Sequence, residues 1–392
     1  MKSRAVLIGL LLLILAASAF AGSGGARGKR GDDDDDQKVE RSVATDPAVA
    51  VSLCVASGNI SVRGWEKQEV RARSMDGVQI ELAHAAETTP GAAIKKLEVA
   101  VFNKDEKDKP GGKCQAFSDI ELNVPHGATV LVQTRDGDIN ISEVAGAYAG
   151  TQSGDIEIEH VSRSIEVGSL GGNICIKDST GRVSVSSAGG SVDAANLRPV
   201  EATDSFDVLT TSGDIALSQV THKQINTKTV SGNLTMTGPL APAGRYWFNS
   251  FSGDVTLAMP ANSSFKLIAK VSQDGEIITD FPLTLTQTSA NAPEVTAVAT
   301  ANAEATAEAE VRTPTTPTPP VAKAGPDTPT PKAAPVVKVS PVVKVQVTPN
   351  VTIVKPSGKV AFTMRRVSGI HGTGDATISV ASFLGTLRLE QN

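Results

Sequence analysis

Aromatic residues are scarce in this 392-residue sequence: they make up 4% of it, with only two Trp and two Tyr. Flat stacking surfaces for nucleotide bases or sugars are therefore few. Charge of a single sign is also missing. The net charge is −5, and acidic and basic residues are mixed along the chain without the basic stripe typical of nucleic-acid-binding proteins. We therefore expect no nucleic-acid partner.

Recognisable catalytic and metal-binding motifs are absent as well. The histidines occur without His-x-x-His or His-x-x-x-His spacing; they are His84, His126, His160, His222 and His371. There is no Gly-x-Ser-x-Gly elbow, phosphate-binding glycine loop or zinc-protease helix. We therefore predict a protein that is not an enzyme, with no catalytic residue, no cofactor and no metal site.

The N-terminus has the pattern of a secretory signal. Lys2 and Arg4 precede the apolar run 6–17, and Ala19-Phe20-Ala21 forms a small-x-small cleavage site. The apolar run is short for a bilayer span. We predict a signal peptide over residues 1–21, with an uncleaved N-terminal anchor as the alternative. The mature chain is expected to be exported, to lack a membrane span, and to reside in the periplasm or at the cell surface.

Residues 22–40 contain several glycines and the aspartate run 32–36. Low hydrophobicity and repulsion between like charges predict a disordered acidic tail here. A calcium-binding patch is the alternative interpretation of the aspartates.

The three cysteines are an odd number for an exported chain in an oxidising compartment, which leaves one unpaired in a monomer. Cys54 and Cys114 both precede the main repeats, so a disulfide between them is the preferred pairing. Cys175 lies between Ile174 and Ile176, out of phase with the inward positions, and is expected to be a free thiol near the surface.

A short phrase recurs along the chain, as in "RDGDINIS", "TQSGDIEIEH" and "FSGDVTLA". Each copy has a glycine, then Asp or Asn, then alternating apolar residues. Glycine permits the positive φ of a tight corner, and Asp or Asn can bond its own backbone there. The predicted turn positions are Gly137, Asp138, Gly154, Asp155, Gly172, Asn173, Gly213, Asp214, Gly232, Asn233, Gly253 and Asp254.

Glycines 17 to 23 residues apart, with period-two alternation between them, predict an all-β solenoid. The expected architecture is similar to a single-stranded parallel β-helix. Each unit is read as turn, strand, turn, strand, and stacking would align Ile156 with Ile139 on one side and Ile174 on the other. Such a core is shared between neighbouring units, so no unit is stable alone.

The aspartates of the corners could instead form a calcium ladder. Calcium-binding nonapeptide solenoids repeat about every nine residues, roughly half of the spacing found here. Asn59, Asn173 and Asn233 also replace Asp without disturbing the pattern. These features favour a turn role, and calcium binding stays the alternative.

Three longer stretches resemble the bacterial toastrack family, also called the "putative adhesin" family. They are "SGNISVRGWEKQEVRARS" (57–74), "IELNVPHGATVLVQTRDGDINI" (120–141) and "SGDVTLAMPANSSFKLIAKVSQDGEIITDFP" (252–282). The similarity covers residues 43–286 and 363–392. It implies a β-solenoid of unknown biochemistry and brings no catalytic residue with it.

Residues 287–350, rich in Pro, Thr, Ala and Val, interrupt the resemblance. Their composition predicts a disordered spacer, with a strand somewhere in 336–347 as the alternative. We therefore expect one solenoid domain over 41–286, a disordered insertion over 287–350, and final turns over 351–392 that cap the same solenoid. The last turn departs from the pattern, because Ser382-Phe383-Leu384-Gly385 stands where a Ser-Gly-Asp corner is expected.

These features predict an exported, non-catalytic cell-envelope protein, an adhesin or scaffold that presents extended β-solenoid surfaces. Its partner would be an unidentified envelope or surface polymer or protein. The alternative function is a periplasmic module that senses envelope stress or polymers, and a carbohydrate-active enzyme is a third class. Tyr246-Trp247-Phe248 invites the hypothesis of a sugar platform, but a strand with residues facing both ways is the preferred interpretation.

Overall fold

The computed structural model describes residues 38–84, 93–103, 114–272, 275–286, 343–344 and 364–392. The predicted signal peptide, all but the last residues of the predicted tail, and most of the predicted insertion lie outside these residues. Within the described ranges the regular structure is β-strand, and no helix in them is long and apolar enough to cross a membrane.

The strands form two sheets. Sheet A contains, in spatial order, β1 (Val39–Ala44), β4 (Glu69–Ser74), β7 (Ile120–Pro125), β3 (Ile60–Trp65), β9 (Ile139–Ser142), β11 (Ile156–Glu159), β13 (Ile174–Lys177), β15 (Val192–Ala195), β17 (Ile215–Ser218), β19 (Leu234–Thr237), β21 (Val255–Met259), β28 (Leu387–Gln391), β23 (Ile277–Thr279) and β25 (Val343–Lys344). Sheet B contains β24 (Thr284–Leu285), β26 (Met364–His371), β22 (Phe265–Ser272), β27 (Ala376–Leu384), β20 (Arg245–Ser252), β18 (Gln224–Ser231), β16 (Ser205–Ser212), β14 (Arg182–Gly189), β12 (Ser164–Gly171), β10 (Gly146–Ser153), β8 (Thr129–Asp136), β2 (Ala50–Ser57), β6 (Lys96–Phe102) and β5 (Gln79–Ala83).

The predicted all-β solenoid is confirmed, and each of its turns, here called rungs, gives one strand to each sheet. From β8 to β21 successive rungs stack in parallel, so that Ile139, Ile156 and Ile174 lie side by side in sheet A. The predicted stacking of these three isoleucines is therefore correct. Period-two alternation turns every second side chain inward, which gives the sequence pattern its physical cause.

The core lies between the two sheets and runs through all the rungs. Sheet A supplies two inward side chains per rung, such as Ile156 and Ile158, and sheet B supplies facing residues such as Ile165 and Val167. Later rungs are filled by the larger rings of Phe206 and others. Burial of each large aliphatic side chain contributes about 1.5–3 kcal/mol, so stability accumulates along the stack.

Both ends of the solenoid depart from chain order. The rung β2–β3 lies between β6–β7 and β8–β9, and the rung β27–β28 lies between β20–β21 and β22–β23. Antiparallel strands complete the ends: β4, β1 and β5 at one, β25 and β26 at the other.

The expectation that the C-terminal segment caps the solenoid therefore needs correction. Strand β26 does lie beyond β22, but the final rung is intercalated one rung inside the end. In that position β27 and β28 bury both of their long edges, which a terminal rung could not do.

Two boundaries also differ from the sequence-based expectation. Strand β1 begins at Val39, inside the predicted acidic tail. Strand β25 (Val343–Lys344) lies inside the predicted spacer and pairs with β23 through Ile278 and Thr279. A short strand thus stands within the segment that was expected to lack regular structure, because an alternating Val/Lys run can pair with an open sheet edge.

The cysteines lie near the N-terminal end and in the middle of the solenoid. Cys54 and Cys114 form a disulfide, and Cys175 is a free, half-buried thiol on the outward side of β13. Burial raises the pKa of the Cys175 thiol, and Lys177 lowers it to a smaller extent.

Candidate binding surface

The predicted turn glycines stack at one corner of the solenoid, here called the glycine corner. A Cβ added to Gly154 would lie closer than 3.0 Å to the carbonyl of Gly137, and one added to Gly172 would meet the carbonyl of Gly154 in the same way. The complete stack is Gly58, Gly137, Gly154, Gly172, Gly190, Gly213, Gly232, Gly253 and Gly385. Glycine is thus required by the close approach of neighbouring rungs as well as by positive φ.

The last turn of the stack is formed around Gly385, which lies against Gly253. The Gly253 N–H donates a hydrogen bond to the carbonyl of Leu384, the residue before Gly385, at 3.1 Å. Thr386 then takes the position of Asp or Asn, and its N–H donates to Asp254 Oδ1 at 2.7 Å. The corner is therefore complete although the Ser-Gly-Asp phrase is missing.

The Asp and Asn residues of the glycine corner form a ladder of side-chain hydrogen bonds, here called the Asx ladder. The Asp155 N–H donates to Asp138 Oδ1 at 2.8 Å, and the Asn173 N–H donates to Asp155 Oδ1 at 2.7 Å. Further bonds link Asn59 to Asp138, Asn173 to Ser191, Asp214 to Asn233, and Asn233 to Asp254. Each bond uses only an Oδ1 atom, which Asp and Asn both provide.

A hydroxyl residue three positions before every stacked glycine except Gly58 lies just inside this corner, and the sequence analysis missed it. Thr151 Oγ1 donates to the Ser153 carbonyl at 3.0 Å, and Ser250 Oγ donates to the Gly232 carbonyl at 3.3 Å. The set is Thr134, Thr151, Ser169, Ser187, Thr210, Thr229, Ser250 and Ser382, all buried. The recurrence of Ser or Thr at this spacing was the available signal.

The other end of strands β9, β11, β13, β15 and β17, here called the opposite corner, turns without glycine, whereas Gly238 follows β19. Residues with φ between 47° and 60° directly follow β9, β11, β13, β15 and β17; they are Glu143, His160, Asp178, Asn196 and Gln219. The left-handed helical region is open to residues with a Cβ at a modest cost. No recurring residue type marks this corner, so the sequence analysis did not locate it.

A cleft of about 390 Å³ opens among the loops of the opposite corner that lead into β16, β18 and β20. Its lining is mainly apolar and consists of Pro199, Glu201, Ala202, Thr221, Lys223, Pro239, Leu240, Ala241 and Pro242. Tyr246 is buried beside it, and its hydroxyl accepts a hydrogen bond from the Ala241 N–H at 2.6 Å. Burial raises the pKa of this hydroxyl.

His222 is buried between the cleft-lining residues Thr221 and Lys223. Its Nε2 lies 2.7 Å from the Gly181 carbonyl oxygen, while Nδ1 has no partner in the described part of the chain. Burial lowers the pKa of His222, and the hydrogen bond to Gly181 and the charges of Asp204 and Asp207 oppose that shift. The neutral imidazole is the form that this position favours.

The outer face of sheet B carries exposed aromatic side chains. Trp247 is 40% exposed and Phe251 is 50% exposed, whereas Tyr246 and Phe248 on the same strand are buried. The strand therefore faces both ways, as preferred from the sequence. Phe251 stacks on Phe383 of β27, with ring centroids 4.9 Å apart.

The two tryptophans have different surroundings. Trp65 is covered by Lys67 and Arg71, each 4.8 Å from its ring centroid, and its Nε1–H donates to the Glu69 carbonyl. Trp247 has no such cover, and its indole N–H has no partner in the residues that the structure describes. A Trp with an open face is a typical anchor for a binding partner.

The remaining sequence candidates do not converge. The five histidines occupy separate positions; for example, His126 Nδ1 lies 3.0 Å from the Glu143 carbonyl oxygen, and His371 Nδ1 lies 2.9 Å from that of Pro282. Within the described ranges, no three His, Cys, Asp or Glu side chains are grouped so as to hold a metal ion.

Comparison with known proteins gives a family and several distant structures. The model of the toastrack DUF4097 family matches residues 95–313. Solved structures with some similarity include "putative adhesins" from Bacteroides fragilis (15% identity, 57% of this chain and 88% of that chain, TM-score 0.31) and Parabacteroides distasonis (9% identity, 58% and 91%, TM-score 0.35). A "putative cell adhesion protein" from Clostridium sporogenes covers 91% of this chain and 100% of its own, at 10% identity and a TM-score of 0.20. No curated protein sequence matches the chain.

Proposed function

Because the chain belongs to the toastrack DUF4097 family, we propose that it is an exported, non-catalytic cell-envelope protein. In this proposal it acts as an adhesin or scaffold that binds a partner through the outer face of a sheet. Export is supported by the basic, apolar and small-residue pattern of residues 1–21.

The observation that carries the proposal is the open aromatic surface of sheet B. Trp247 and Phe251 lie on β20, and Phe383, which stacks on Phe251, lies on the neighbouring strand β27. Exposed aromatic residues grouped on one face of a protein are typical of sites that bind another molecule. The prominent carboxylates of the corners, such as Asp138 and Asp155, are acceptors in the Asx ladder, which supports a structural role for them.

We further propose that residues 287–350 are an insertion presented by the solenoid. The chain leaves from β24 and returns through β26, and these two strands are antiparallel neighbours through Thr284 and Ile370. Because the strands that flank the insertion are held together by this pairing, cleavage within it should leave the solenoid folded.

Protease shaving of intact cells tests the proposal, with one antibody against the solenoid and another against 287–350. Cleavage in 287–350 without lysis is the expected result, because an adhesin must be exposed outside the cell. Protection until the outer envelope is opened would instead favour the periplasmic sensing module. Turnover of an envelope polysaccharide, lost on substitution of a single carboxylate, would contradict the non-catalytic role.

A further inference from the structure

Five neighbouring strands of sheet B, from β18 through β20, β27 and β22 to β26, contain no Asp or Glu. Five exposed cations occupy their outer side, and we call this surface the cationic face: Lys228, Arg245, Lys266, Lys270 and Arg366. Such a concentration of one sign is unusual in a chain whose net charge is −5, since exposed sheet faces normally mix both signs.

The strand register arranges these cations in two rows across the sheet. Arg245 aligns through Thr377 with Lys266. The second row runs from Lys228 through Asn249 and Ala381 to Lys270 and Arg366. The rows are four residues apart along each strand, a separation of about 13 Å.

The cations of this face have no internal partners. In the part of the chain that the structure describes, none of the five makes an ion pair or a side-chain hydrogen bond. Several cations elsewhere are paired: Arg63 lies 3.6 Å from Glu143, and Lys177 lies 2.9 Å from Glu157. The positive charge of the face is therefore available to an anionic partner.

Trp247 lies between the two rows. Its neighbours across the strands are Asn226 and Ser379, and Asn249 is the next outward residue on β20. A sugar ring presents a flat face of C–H groups that can pack on an indole, and hydroxyls that can bond to side-chain amides. Asn226 and Asn249 have no side-chain hydrogen bond within the described ranges, so both amides can bind a ligand.

We propose that the cationic face, with Trp247 at its centre, binds an acidic polysaccharide whose sugars carry carboxylates. The polymer would lie across the strands, over Asn226, Trp247 and Ser379, with a row of cations on either side. This inference rests on the proposed function and supplies the chemical class of the partner.

Two other anionic partners fit this surface less well. Single-stranded nucleic acid is bound by successive stacked bases, and the line between the rows offers one aromatic ring. An anionic membrane would require several apolar side chains at the centre of the face, where Trp247 is instead flanked by Asn226, Asn249 and Ser379.

Affinity electrophoresis of the purified full-length chain tests the inference, in native gels that contain polygalacturonate or, as the neutral control, dextran. We expect retardation by polygalacturonate alone, weakened by added salt. Trp247→Ala and the double variant Lys228→Gln/Lys270→Gln should each raise the dissociation constant about tenfold or more. The matched control is Arg388→Gln, which removes an exposed cation from the outer face of sheet A and should bind like the parent chain.

The opposite results are equally specific. Lack of retardation by polygalacturonate at low salt, or equal retardation by dextran, would overturn the inference. Tighter binding to oligothymidylate or to phosphatidylglycerol vesicles through the same residues would replace the polysaccharide by that partner. If Trp247→Ala does not fold, Lys270→Glu tests the same face without touching the core. Because the gel uses purified protein, its outcome is independent of the location that protease shaving reports.

Discussion

The two corners of each rung reverse the chain by different backbone conformations. At the glycine corner, φ of the positive-φ glycines in the stack lies between 128° and 146°, and a carbonyl of the preceding rung occupies the place of a Cβ. At the opposite corner, the residues that follow β9, β11, β13, β15 and β17 have φ between 47° and 60° and keep their side chains. One corner therefore accepts glycine alone, whereas the other accepts many residue types.

This difference explains which corner is visible in the sequence. A site that excludes every Cβ leaves a recurring glycine, and the phrase around it reveals the period. A site in the left-handed helical region leaves Glu143, His160, Asp178, Asn196 and Gln219, which share a conformation and no common side-chain chemistry. A corner can thus be regular in structure and irregular in sequence.

The largest effect is expected from a Cβ at the glycine corner. Gly154→Ala should lower the free energy of unfolding by about 3 kcal/mol or more, since it combines an unfavourable φ with a clash against the Gly137 carbonyl. Denaturant unfolding of the purified protein measures this change.

Gly150→Ala is the matched control for that substitution. Gly150 lies four residues earlier on β10, and the nearest atoms to an added Cβ are 4.0 Å away. This variant should be as stable as the parent or slightly more so. Equal stability of the two variants would contradict the role assigned to the glycine corner.

The middle of the solenoid was predictable from the sequence because its information is local. Alternation around Ile139, Ile156 and Ile174 defines the strands, and the glycine spacing defines the register. The order of strands at the ends was not predictable in the same way. By the glycine spacing, Gly275 would be the residue stacked next to Gly253. In the structure Gly385 takes that place, because the terminal rungs pair over long sequence distances.

The candidate site was predicted only in part for a related reason. Trp247 stood out in the sequence, and its exposure follows from the alternation of β20. Lys228, Lys270 and Arg366 lie far apart in the chain, and only the register of β18, β22, β27 and β26 brings them onto one face. The mixed charges of the whole chain concealed this local excess of one sign.

A second test concerns His222, in the loop that follows the opposite corner. Burial lowers its pKa in the folded state, so the unfolded chain, with a His pKa of about 6.5, takes up a proton that the folded chain does not. Stability should therefore be full above pH 6.5 or so and fall as the pH drops below that value, by at most about 2 kcal/mol at pH 5.

Unfolding free energies at pH 7 and pH 5 for the parent chain and for His222→Gln measure this contribution. The variant should lose less stability between the two values, since other titrating groups contribute equally to both proteins. An identical pH dependence would show that His222 is not held neutral. Asp204 and Asp207 raise the pKa of His222, but burial has the larger effect and the net shift is downward. The expected loss of stability at low pH therefore keeps its sign.

A third test separates hydrogen bonding from charge in the Asx ladder. Asp155→Ala removes the acceptor of the Asn173 N–H and should cost about 1 kcal/mol. Asp155→Asn keeps an Oδ1 atom and should be nearly neutral in thermal unfolding. A large loss from Asp155→Asn, seen only with calcium present, would instead favour calcium binding at this corner.

The smallest effect is expected at the opposite corner itself. His160→Gly relieves the cost of a left-handed residue, about 1 kcal/mol, but adds backbone entropy to the unfolded chain, which costs a similar amount. We expect a net change within about 0.5 kcal/mol by denaturant unfolding, whereas His160→Val, β-branched at φ 54°, should destabilise. A loss from His160→Gly as large as that from Gly154→Ala would mean that the opposite corner depends on its side chains. A negligible loss would show that backbone conformation alone sets what the opposite corner tolerates, whereas the glycine corner is also limited by the neighbouring carbonyl.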